Sequence, residues 1–141
     1  MPHPETSSLA HEWATLQNNY EDYEKNALLI KLGGAVLVVC SLASVLDAAF
    51  AVALLLVLWV QEGILRTGQS RLGVRILRIE QLLRQATPQV AYACQLHSEW
   101  QAARPGTGGL LGEYAKNMLR PTVAFPYAVL ILLQLGWSVF R

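Results

Sequence analysis

Between Lys31 and Glu62 the only formally charged residue is Asp47, and apolar side chains fill almost every other position. The run 27–65 therefore reads as a hairpin of two membrane-spanning helices, 27–46 and 48–65, each near the 20 or so apolar residues needed to cross hydrocarbon. No polar loop separates them, so the turn is tight. Asp47 at its tip suits the N-cap of the second helix, where a carboxylate accepts from free backbone N–H groups. An intramembrane carboxylate that takes a proton or cation is the competing reading, and the tip position favours the cap. A third apolar run, 122–140, follows Pro121, with Arg120 at its entrance, Trp137 near its exit and Pro126 expected to kink its first turns.

Outside the apolar runs the pattern changes to that of amphipathic helices. Leu9, Trp13, Leu16, Tyr20, Tyr23 and Ala27 recur in alternating steps of four and three, one seam of a coiled-coil-like helix. Glu12, Glu21, Asp22 and Glu24 make the other faces acidic, and Ser7 or Ser8 is the expected N-cap. After the hairpin, Leu65, Leu72, Ile76, Ile79, Leu83 and Ala86 form a stripe surrounded by Arg66, Arg71, Arg75, Arg78 and Arg84. A tight hairpin sends both arms out of the same membrane face. An antiparallel stalk of an acidic arm on a basic arm follows, with Glu62 expected to pair with Arg66 one turn on.

Pro88 should end the basic arm, a short helix is expected over 89–103, and the Pro–Gly-rich stretch 104–109 reads as a turn. Residues 110–119 set Leu110, Leu111, Tyr114, Met118 and Leu119 against Glu113, Lys116 and Asn117, a helix suited to a membrane surface. Small residues in the spans, Gly33, Gly34 and Ala35, then Ala49 with Ala53 and Ala124 with Ala128, mark helix-contact faces.

Composition sharpens this picture. With 53% hydrophobic residues and a net charge of +1, the chain has the apolar content of a membrane protein and lacks the basic excess that nucleic acid requires as a partner. Residues 1–8 show neither the basic start nor the apolar run of a cleavable signal peptide, so the first span is expected to serve as its own insertion signal. The basic residues from Arg66 to Arg120 place the arms and the N-terminus in the cytoplasm and the C-terminus outside.

Chemistry is less legible. His11, Glu12, Cys94, His97 and Glu99 could be gathered by two arms folding together, but they lack the paired spacing of a metal site and read as ordinary polar faces. Gly106–Gly109 has neither the lysine nor the strand of a phosphate loop. No nucleophile motif is present, and no His lies in a span to ligate haem. Cys40 and Cys94 are expected to be free thiols. Neither catalytic residues nor a metal or other cofactor are assigned.

The expected protein is an all-α integral membrane protein with three spans and a helical stalk subdomain. Its segments are 1–26, an amphipathic helix; 27–65, the hairpin; 66–121, basic and interfacial helices; and 122–141, the third span. The bacterial cytoplasmic membrane is the expected location. The expected role is non-enzymatic: an oligomeric assembly, scaffold or regulatory subunit whose partners are membrane lipids, copies of itself or other membrane subunits. The alternative is a homo-oligomeric channel or membrane-disrupting effector gated by its cytoplasmic helices. Asp47, Gln61, Glu62 and Gln134 are the polar membrane or pore candidates. Arg66, Arg71, Arg75, Arg78 and Arg84 are candidate contacts for anionic lipid, a secondary role because acids on the first arm neutralise part of their charge.

Overall fold

Two helices dominate because the sequence places no proline within them beyond the first turn and fills both with apolar or amphipathic turns. The computed structural model describes residues 4–84, 94–103 and 105–140. Its helices are α1 (Pro4–Leu42), α2 (Ala48–Leu83), α3 (Leu96–Ala103), α4 (Thr107–Met118) and α5 (Pro121–Phe140). At 1.5 Å per residue the 39 residues of α1 and 36 of α2 extend about 58 and 54 Å, far beyond a hydrocarbon core of about 30 Å. Each thus has an apolar part long enough for one span, continued by an amphipathic stalk. The 20-residue α5 has the length of a span alone. These three helices are long and apolar enough to cross a membrane.

In the spanning part, α5 packs against both α1 and α2. Ala27, Val38, Ala51, Leu55, Val123 and Tyr127 face inward, whereas Leu28, Leu32, Val36, Leu56, Val57 and Leu132 form part of an exposed apolar belt. Gly34 lets the helices close: a Cβ there would stand 3.3 Å from Leu55 Cδ2 and 3.5 Å from Leu130 Cδ1.

In the stalk, Leu9 and Leu16 of α1 bury against Ile76, Ile79 and Leu82 of α2, flanked by Trp13, Tyr20 and Leu72. Each fully buried aliphatic side chain contributes roughly 1.5–3 kcal/mol. Gly68 accommodates Tyr23, whose Cε1 would lie 3.1 Å from a Cβ at that position. The arms pair antiparallel, as the seam and stripe require.

Several boundaries differ from the sequence expectations. The first apolar helix stops at Leu42, not at residue 46, because Ser44 adopts a left-handed conformation (φ 62°). Ser44 N–H then bonds to Ser41 O and Val45 N–H to Cys40 O, the two bonds of a Schellman stop, here without its usual glycine. Helix α1 is already formed at Pro4, so Ser7 and Ser8 lie within it rather than at its N-cap. Thr107 to Gly109 are helical and open α4, so the turn expected over 104–109 is shorter. The short helix expected from residue 89 is described only over Leu96–Ala103; its beginning, Pro88 and Ala86 lie outside the described residues. Helix α5 begins at Pro121 and continues through Pro126.

Candidate functional site

The polar residues of the apolar part of the bundle gather at its two ends. At the stalk end, Glu62 is fully buried, with Lys31 Nζ 3.0 Å and Arg66 Nε 3.7 Å from its Oε1. Arg66 also reaches across to α1, its Nη1 2.7 Å from Glu24 Oε1. Gln69 locks this bridge, accepting from Arg66 Nη1 at 2.6 Å and donating to Glu24 Oε1 at 2.7 Å. The hydrogen bond from Arg66 is the main reason the Glu24 carboxyl sits below its ordinary value; partial burial acts the other way. Tyr127 of α5 is fully buried beside α2, its ring stacked near Trp59 with the centroids 6.3 Å apart. Two cations and two carboxylates thus join α1 and α2 where they leave the apolar segment.

Beside this cluster, α4 is fastened to α2. Trp59 Nε1 donates to Met118 O at 3.0 Å, and Asn117 Nδ2 donates to Thr67 Oγ1 at 2.8 Å, with both Thr67 and Asn117 buried. Gly63 makes room: a Cβ there would collide with Met118 Cγ.

At the hairpin end, Asp47 is the N-cap of α2, accepting through Oδ1 from Ala49 N–H at 3.0 Å and Phe50 N–H at 3.1 Å. Gln134 is turned into the bundle at 1% exposure, its Nε2 donating to Ser41 Oγ at 2.7 Å. Ser41 Oγ in turn donates to Leu46 O at 3.0 Å. Gln61, by contrast, is exposed on the outer surface of α2. Of the side chains proposed to line a lumen between copies, Gln134 is therefore engaged inside its own protomer, while Asp47 and Gln61 face out.

The arginines are spread along the stalk and mostly matched by acids. Arg75, 2% exposed, holds Glu12 through Nε and Nη2 at 3.0 and 3.3 Å and has Nη1 3.0 Å from Glu99. Arg78 also approaches Glu99, at 3.3 Å. Arg71 meets Glu113 at 3.2 Å and lies over the Trp100 ring, 4.9 Å from its centre. Arg84 is the exposed C-cap residue of α2. A cavity of about 540 Å³ opens between α1, α2, α3 and α4, with Tyr23, Arg71, Arg78, His97 and Trp100 among its walls.

The arms do meet near Cys94, whose backbone N–H donates to Glu12 Oε2 at 2.7 Å. Among the described residues no three His, Cys, Asp or Glu side chains are grouped to hold a metal ion. Sequence reasoning gave Glu62 only Arg66 as a partner and missed its pairing with Lys31. The signal was present: Lys31 stands sixteen residues before Asp47 and Glu62 fifteen after it, so a hairpin turning at Asp47 brings them level. Tyr127 and Ser41 carried no comparable signal. No protein-family model matches the chain, no curated protein matches its sequence, and no solved structure matches it.

Proposed function

We propose that the protein is a non-enzymatic membrane subunit that acts by assembly, scaffolding or regulation, with its stalk and N-terminus in the cytoplasm and its C-terminus outside. The observation that carries this reading is the split use of the small-residue faces. Gly34 is buried within the protomer against α2 and α5, whereas Gly33, Ala49 and Ala53 point outward with their backbones open to close approach. In lipid, where packing rather than hydrophobicity drives association, such faces favour another helix. The stalk adds a second contact region: Val74 and Leu77 are 70% and 59% exposed on a helix face beyond the apolar segment.

The distribution of charge agrees with a structural rather than catalytic role. Glu62 and Arg75, the buried charged groups among the described residues, are held in ion pairs that join helices, and Asp47 is used as a cap. The basic residues between Arg66 and Arg120 support the orientation. Exposed Leu111 and Leu119 suit the α4 segment to the membrane surface, whereas Arg84, exposed at the far end of the stalk about 28 Å beyond residue 65, stands too far out for anionic headgroups.

The test is association in a bilayer-mimetic detergent by sedimentation of wild type, Gly33→Leu and Ala53→Leu. Loss of complex mass with retained helical content supports the reading. Unchanged mass in both variants removes the outward faces as its basis, and ion flux through reconstituted protein would move the assignment to a channel.

A further inference from the structure

At the hairpin end a cavity of about 360 Å³ lies between the α1–α2 turn and the last turns of α5, with Asp47, Gln134, Trp137 and Ser138 in its wall. Its chemistry is set by one committed hydrogen. Ser41 gives its hydroxyl proton to Leu46 O, so it can only accept from Gln134, which must offer Nε2 and leave Oε1 over. That carbonyl oxygen is buried and has no hydrogen-bond partner among the described residues. An unsatisfied buried acceptor is costly and calls for a donor. Asp47 spends Oδ1 on the cap, and its exposed carboxylate is the only formal charge from residue 32 to residue 61; none lies between Arg120 and Arg141. The cavity therefore favours a cation and disfavours an anion.

We infer that this cavity binds a primary ammonium group, that of an ethanolamine phospholipid headgroup, at the membrane surface on the hairpin side. An ammonium has three N–H donors, enough in number for both the Gln134 Oε1 acceptor and the Asp47 carboxylate. Trp137, half exposed in the same wall, is a side chain suited to anchoring at headgroup level. A quaternary ammonium carries the same charge but no N–H donor, so it leaves Gln134 Oε1 unmet. This inference concerns the hairpin end alone and does not depend on assembly through the outward small-residue faces.

The experiment is native mass spectrometry of the full chain released from nanodiscs containing equal amounts of phosphatidylethanolamine and phosphatidylcholine in a phosphatidylglycerol background. Wild type is expected to retain phosphatidylethanolamine about five- to tenfold over phosphatidylcholine. Asp47→Asn keeps a good N-cap and is expected to lose most of that preference while retaining wild-type helical content. Trp137→Leu provides a second variant away from the turn, with a smaller loss. Displacement of the lipid by free ethanolamine assigns the site to the ammonium group itself, and resistance to displacement assigns it to the whole lipid. Equal retention of the two lipids by wild type, or unaltered preference in Asp47→Asn, overturns the inference.

Discussion

Lys31 Nζ and Glu62 Oε1 stand 3.0 Å apart, a salt bridge between α1 and α2 in which the carboxylate is fully buried. It closes the mouth of the hairpin. Removing one partner leaves a buried charge short of compensation, which in full burial costs 3–5 kcal/mol. Here Lys31 is partly exposed and Arg66 remains near. Lys31→Met is therefore expected to cost about 1–3 kcal/mol in detergent unfolding, and adding Glu62→Met should recover much of that loss. A double variant less stable than Lys31→Met would contradict this.

The stalk depends on a different arginine. Arg75 ties Glu12 of α1 and Glu99 of α3 to α2 while itself almost wholly buried. Arg75→Ala is expected to expose the backbone of α1 from Leu9 to Tyr20 to hydrogen exchange, leaving α5 protected. Arg75→Lys should be intermediate, since an ammonium cannot reproduce the two-pronged bond to Glu12. Equal protection of α1 in wild type and Arg75→Ala would show that the apolar seam alone holds the arms together.

Gly63 is a packing position for α4. A valine there displaces Met118, with an expected loss of about 1–3 kcal/mol from overpacking. Met118→Ala in the same chain should restore part of it. No rescue would mean that the cost arises within α2 itself.

Acid should weaken the stalk only mildly through Glu24. Its folded carboxyl lies below the ordinary 4.5, so its contribution is complete above that value and is lost as pH falls through the lowered one. Because the Glu24 side chain is half exposed, the effect should be no more than about 0.5 kcal/mol. Unfolding followed from pH 6 downward should show a smaller acid loss in Glu24→Gln than in wild type. A steeper loss in the variant reverses the sign and contradicts the Arg66 bond as the cause.

What could be read from the sequence divides by whether a helix has a polar side. In the stalk it does, and Leu9, Leu16, Ile76 and Ile79 are buried where the period placed them. In the spans nearly every residue is apolar, so nothing phases the helix. Ala49 and Ala53 have the spacing of a contact face yet point outward, while Ala51 and Leu55 turn in. The turn was placed at Asp47, but its beginning was not, because Ser44 takes the left-handed position without the glycine that usually announces it. Gln134 was legible as a polar position at membrane depth; that its partner is Ser41 depends on how α5 seats against α1, which no local pattern encodes.

The central claim is that this chain works as part of an assembly. The most direct measurement is the mass of the protein extracted from its own membrane in lipid nanodiscs, read by native mass spectrometry. The account predicts a discrete complex containing further copies or a different membrane subunit, lost or reduced in Gly33→Leu and Ala53→Leu. A lone 15.6 kDa chain carrying only lipid, at every protein concentration, would contradict it.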